Sequence, residues 1–145
     1  MTDAPLPVEA ERPGRFQPPE SVAGAPFWSA TRDRRYVLPW CTSCGHPHWF
    51  PREFCPTCLG TDLDWREASG EGVVDAVSVM PKPGNPLMAG RGPYAVALVA
   101  LPEGVRVMAE VVADDPDLVA VGQAVRLEWE ALADGRHLPV FRTVP

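Results

Sequence analysis

Cys41-Thr42-Ser43-Cys44-Gly45 and Cys55-Pro56-Thr57-Cys58-Leu59-Gly60 are two C-x-x-C segments with ten residues between them. A tight turn lets each segment aim two thiolates at one point, and a hairpin brings the two pairs together. Four soft, anionic ligands then complete a tetrahedral shell, the donor set of structural zinc. Gly45 and Gly60 stand where each turn is expected to need backbone angles that favour glycine. A redox C-x-x-C needs one pair and leaves the second unexplained, and a disulfide framework spreads its cysteines over the fold. All four cysteines here lie between positions 41 and 58, which points to a metal and a reducing compartment. Iron is the less favoured occupant of the same four thiolates. With sulfur in every position the shell is closed to water and substrate, so the metal is expected to organise the fold. His46 and His48 are then surplus as ligands and read as exposed loop residues, free to hydrogen-bond a thiolate.

Working outward, residues 21–38 hold Pro26 at a position suited to a helical first turn, Phe27, Trp28 and Ala30 behind it, and Arg32, Arg34 and Arg35 near the end. One short helix is predicted there. Residues 1–20 are rich in proline and charge and are expected to be an extended or disordered leader. On the other side, residues 63–72 read as a polar, glycine-containing linker. Helix and ribbon are therefore assigned to 21–68 and a second unit to 69–145.

That second unit carries five strand-like runs, 73–80, 94–101, 105–113, 123–132 and 138–144. Val125, Leu127, Trp129 and Ala131 alternate with Arg126, Glu128 and Glu130, as a strand with one wet face requires. Residues 94–101 are apolar throughout and are expected to be central and buried on both sides. Pro102-Glu103-Gly104 and Asp134-Gly135 are tight hairpin connections, and Asp114 to Leu118 suits one helical turn. Five short strands with a helical element after the third predict a mainly β chain ending in a five-stranded antiparallel barrel of the OB type, although an SH3-like barrel shares most of these signals. The one long connection, residues 81–93, is the place to look for a ligand or partner.

Composition sets further bounds. The chain has 145 residues, 18 of them proline and 12 glycine, which opposes a helix bundle. Its net charge is −6, Lys82 is its single lysine, and residues 69–145 hold ten acids against six bases. General affinity for nucleic acid is not expected from such a surface. No apolar run approaches the ~18 residues of a membrane span, and no basic flank precedes an apolar core at the N-terminus, so a cytoplasmic protein is expected. No Ser-His-Asp order, phosphate loop or dinucleotide fingerprint is present, and catalysis by this chain alone is not expected.

Phe27-Trp28, Cys41-x-x-Cys44-Gly45, Pro51-Arg52, Cys55-Pro56-x-Cys58, Gly72, Pro93-Tyr94, Gly104-Val105-Arg106, Gly122-x-x-Val125 and Pro139-Val140-Phe141 occur in an order that resembles a known family. This is the acyl-CoA-associated family that joins a rubredoxin-like zinc ribbon to an OB-fold. The resemblance runs from about Phe27 to the C-terminus. It implies an accessory subunit of thiolase-superfamily proteins, among them thiolases and the thiolase-like aldolases of steroid side-chain degradation. The partner supplies the catalytic residues there, in an expected α2β2 complex with acyl-CoA at or near the shared interface. The longer proline-rich leader and the Pro/Gly-rich loop 81–93 depart from the family pattern, so the substrate class does not carry over. Within that loop Lys82 and Arg91 are candidate CoA-phosphate ligands, and Leu87 and Met88 offer an adaptable apolar surface. Phe27, Trp28, Trp49 and Phe50 complete the candidate partner contacts. A nucleic-acid-binding ribbon/OB module and a rubredoxin-like electron carrier are the alternatives.

Overall fold

Ser21 supplies the oxygen that accepts the Gly24 N–H (3.0 Å), and Pro26 fixes the first turn of the helix that follows, α1, Ala25–Arg32. In the computed structural model, which describes residues 16–82, 84, 86 and 90–145, α1 is the one α-helix among the described residues and, 3-10 turns aside, the rest of their regular structure is β. Most of the expected leader lies outside the described residues, and residues 16–20 carry neither helix nor strand. Phe27 and Thr31, four apart on one face of α1, are its buried residues. None of the helices among the described residues is long and apolar enough to cross a membrane.

The ribbon is a two-stranded antiparallel sheet, β1 (Val37–Cys41) with β2 (Leu63–Glu67), extended by a bridge from Trp40 to Pro47. The first half of the expected linker is thus a strand. Leu63 and Trp65 alternate with Asp64 and Arg66, but over five residues that signal is too short to stand out from a polar connection.

Five strands form the barrel: β3 (Glu71–Met80), β4 (Tyr94–Ala100), β5 (Arg106–Val112), β6 (Ala124–Ala131) and β7 (His137–Thr143). They close in the order β3-β4-β5-β7-β6. A 3-10 turn, Pro116–Leu118, capped by the Asp115 carboxylate, lies between β5 and β6. Both expected hairpins are antiparallel, with Gly104 (φ 107°) and Gly135 (φ 91°) supplying the left-handed residue of each turn.

The barrel is not wholly antiparallel. β5 and β7 run parallel, pairing Val111 with Phe141 and Val112 with Arg142. Parity requires it, because five strands cannot alternate direction all the way round a closed ring. β3 pairs with β6 through residues 71–73 and with β4 through the remainder, and a bulge at Asp75 lets it bend between them. At the bend an added Cβ on Gly72 would lie 2.4 Å from Val99 Cγ1. β4 also differs from expectation: Ala95, Ala97 and Val99 are buried, while Tyr94, Val96, Leu98 and Ala100 are half-exposed. Its all-apolar composition hides an ordinary two-faced strand.

Aromatic side chains join the two units. Tyr36, at the entrance to β1, lies 6.2 Å from the Trp129 ring and 6.5 Å from Phe141, and Phe27 sits edge-on to both Tyr36 and Trp49. Around this cluster runs a polar seam. Arg32 donates to the Asp134 carbonyl (2.9 Å), the His137 N–H reaches Thr31 Oγ1 (3.3 Å), and His137 Nδ1 meets the Thr31 carbonyl (2.8 Å). The last contact requires the proton on Nδ1.

Candidate metal centre

The two knuckles are built alike. In the first, the Gly45 N–H donates to the Cys41 carbonyl (2.9 Å) and the Cys41 N–H to that of His46 (3.0 Å). In the second, Leu59 donates to Cys55 (2.8 Å) and Cys55 to Gly60 (2.7 Å). The Thr42 N–H, bonded to the Asp62 carbonyl (2.9 Å), ties one knuckle to the strand leaving the other.

These turns bring all four Sγ atoms within 4.8 Å of one another. Cys41–Cys58 and Cys44–Cys55 are each separated by 3.6 Å. A tetrahedral ion with ~2.3 Å bonds to sulfur needs S–S edges of about 3.8 Å, so the four thiols fit one metal. Nδ1 of His46 lies 3.4 Å from Cys44 Sγ, in hydrogen-bonding range of a thiolate.

The thiols are not equivalent as acids. The Cys44 amide, foremost, draws Cys41 down, and the Cys58 amide does the same for Cys55, lowering it to about 6. Cys44 is pushed up to about 12: the His46 amide pulls against this, but burial and the neighbouring thiols outweigh it. Cys58 is also raised, the pull of the Gly60 amide being overcome by Cys41, burial and Cys55. Metal entry must therefore expel protons held by Cys44 and Cys58, which makes affinity rise with pH.

Two expectations change here. Gly45 is left-handed (φ 77°), but in the second knuckle the left-handed residue is Leu59 (φ 64°), not Gly60. At Gly60 the constraint is space instead, since a Cβ there would crowd Cys58 Sγ at 3.3 Å. His48 is not an exposed loop residue. It is 6% exposed, and neither ring nitrogen has a hydrogen-bond partner among the described residues.

The other candidate residues are scattered. Lys82 is exposed just beyond β3. The Arg91 side chain, only 4% exposed, reaches Glu110 on β5 (3.6 Å) and Glu130 on β6 (3.5 Å). Glu130, expected on a wet face, is 1% exposed. Phe27 is buried and Trp28 half-buried under the Arg136 guanidinium, 4.8 Å from its ring. Trp49 is half-buried and stacks on Phe50, which is largely exposed. Leu87 and Met88 lie outside the described residues. Phe54 and Leu59, both exposed, were not singled out from the sequence. Leu59 was detectable by aligning the knuckles, C-x-x-C-Gly against C-x-x-C-Leu.

Fold and site together define a two-unit protein, a four-cysteine ribbon docked on an OB barrel. Family profiles described as the ChsH2 rubredoxin-like zinc ribbon domain and the ChsH2 C-terminal OB-fold domain match residues 28–64 and 65–130. Over 117 residues the chain is 38% identical to a "Probable enoyl-CoA hydratase alpha subunit" of Thermomonospora curvata, covering 80% of this chain. It spans only 36% of that relative's length. A "DUF35 domain-containing scaffold protein" of Methanothermobacter thermautotrophicus is 34% identical over 95 residues, 65% of this chain and 71% of that one. Among solved structures, a chain of the "Ltp2-ChsH2(DUF35) aldolase" superposes with a TM-score of 0.78 at 35% identity, covering 88% of this chain and 98% of that chain. A DUF35-family protein of unknown function from Sulfolobus solfataricus shares the fold, with a TM-score of 0.59 at 17% identity, over 93% of this chain and 88% of that one. The chain belongs to the ChsH2/DUF35 family of zinc-ribbon and OB-fold proteins.

Proposed function

We propose that this chain is a non-catalytic subunit of a thiolase-superfamily enzyme acting on acyl-CoA, with structural zinc at Cys41, Cys44, Cys55 and Cys58. The observation that carries this reading is the likeness to a chain of the Ltp2-ChsH2(DUF35) aldolase, over 98% of that chain, in an assembly named for a second component as well. The thiolase class of the partner, the α2β2 stoichiometry and the acyl-CoA substrate follow from the family resemblance. Lipid, steroid or aromatic metabolism in the cytoplasm is the setting it implies.

Zinc at the four thiolates supplies folding free energy and no open coordination position. The ribbon's share of the work is mechanical, holding α1 and Tyr36 against the barrel so that the subunit presents one shape. Of the two loop cations, Lys82 faces solvent and is the one available to a CoA phosphate, while Arg91 is engaged with Glu110 and Glu130.

Co-expression with a thiolase-like protein encoded beside it tests the proposal. The two chains co-purify, the complex is colourless with one zinc per copy of this chain, and acyl-CoA turnover requires both. Separate elution, or full activity of the partner alone, refutes the subunit role, and iron in the purified chain refutes the metal assignment.

A further inference from the structure

The two knuckles make the same backbone bonds but present opposite surfaces. The first displays Thr42, Ser43, Gly45 and His46, all exposed and none of them apolar and large. The ten residues 50–59 display Phe50 at 69% exposure, Phe54 at 42% and Leu59 at 71%. The pair of bonds joining Cys55 to Leu59 and Gly60 sets the chain entering the second knuckle, with Phe54, beside the chain leaving it, with Leu59. Leu59 is moreover held at φ 64°, a left-handed angle that crowds any Cβ and that glycine adopts freely in the first knuckle. A strained backbone that holds a large apolar side chain out to solvent gains nothing for the isolated chain.

We infer that the second knuckle, through Leu59, Phe54 and Phe50, is the surface that docks on the partner enzyme. The inference rests on the subunit role proposed above and names the face that performs it. The occupant is a different protein, because the Ltp2-ChsH2(DUF35) aldolase, whose chain this one matches over 98% of that chain, is named for two components. The net charge of −6 opposes docking on an anionic lipid surface. The residues around the tip, Arg52, Glu53 and Asp62, leave the patch itself nearly neutral, as the centre of a protein interface is.

The test uses the full zinc-loaded chain and the thiolase-like partner that co-purifies with it. Leu59→Gly relieves the left-handed leucine, and the free subunit's thermal midpoint is expected to rise by about 4 °C. The same variant is expected to bind the partner about tenfold more weakly, and Phe54→Ser to weaken it further while keeping its zinc. On the wild-type complex, hydrogen exchange is expected to slow across residues 50–62 and to leave the first knuckle unchanged. Equal affinity of wild type and Leu59→Gly overturns this inference alone. Failure of the wild type to bind any thiolase-like partner overturns the functional proposal and this inference with it. Dimerisation of the lone chain that Leu59→Gly abolishes assigns the patch to a second copy and overturns it as well.

Discussion

Between Cys41 and Cys58 only Cys41, His48 and Cys55 are buried, whereas β4 alone buries Ala95, Ala97 and Val99 in seven residues. The ribbon tip therefore has almost no apolar core of its own, and its order depends on four thiolates converging on an ion. The barrel is filled by small branched and alanine side chains around Phe141, with strand pairing closed on all sides. One region is held by ligand bonds and the other by apolar burial. Each is thus exposed to a different perturbation, and the aromatic cluster of Phe27, Tyr36, Trp49, Trp129 and Phe141 is where the two meet.

Phe27→Ala attacks that junction. Phe27 is 3% exposed and packs edge-on against Tyr36 and Trp49, and Tyr36 in turn meets Trp129 and Phe141 of the barrel, so its truncation is expected to cost about 3–5 kcal/mol. In urea a single unfolding transition should become two, because the ribbon and barrel no longer support each other. An unchanged midpoint would show that the units are not coupled through this residue.

Gly72→Ala attacks the barrel only. The new Cβ meets Val99 Cγ1 at 2.4 Å and the Ala100 carbonyl at 3.2 Å, and a buried valine between paired strands has little room to yield. A loss of about 1–3 kcal/mol is expected, with full retention of metal. Denaturation monitored alongside metal content checks both halves of this statement.

His48 probes the ribbon more gently. Burial first, and then the Arg52 charge, lower its pKa, so the folded ring stays neutral where the unfolded chain takes up a proton near pH 6.5. The unfolded state then binds more protons, and the stability this confers is complete above about pH 6.5 and declines as pH falls below it. The slope reaches at most about 1.4 kcal/mol per pH unit. Thermal midpoints of metal-loaded protein between pH 7.5 and 5.5 should fall faster for wild type than for His48→Asn. Parallel slopes would remove His48 as the cause.

Much of this architecture is legible in the sequence because it is local. The C-x-x-C pairs, the period-two alternation of Val125, Leu127 and Trp129, and the turn residues Gly104 and Gly135 each announce their element within a few residues. What escapes is set by distant parts of the chain. Glu130 alternates like an exposed residue, yet Arg91 from the loop between β3 and β4 reaches its carboxylate. The parallel β5–β7 pair follows from ring closure, which no single strand records. His48 looks like a loop residue because its burial comes from the folded ribbon and not from its neighbours in sequence. Leu59 is a different case, since the comparison with Gly45 was there to be made.

The division into a metal-held and a core-held region is tested most directly by removing the metal and recording amide resonances residue by residue. On chelation, or in Cys55→Ser, the amides of residues 41–62 should lose their native positions, because a structural site of this donor set contributes roughly 10–16 kcal/mol of apparent binding free energy. The amides of β4 and β5 should stay native and protected from exchange, with the disturbance fading at Tyr36 and its ring partners. Native ribbon resonances in the chelated protein, or collapse of ribbon and barrel together, would contradict the account.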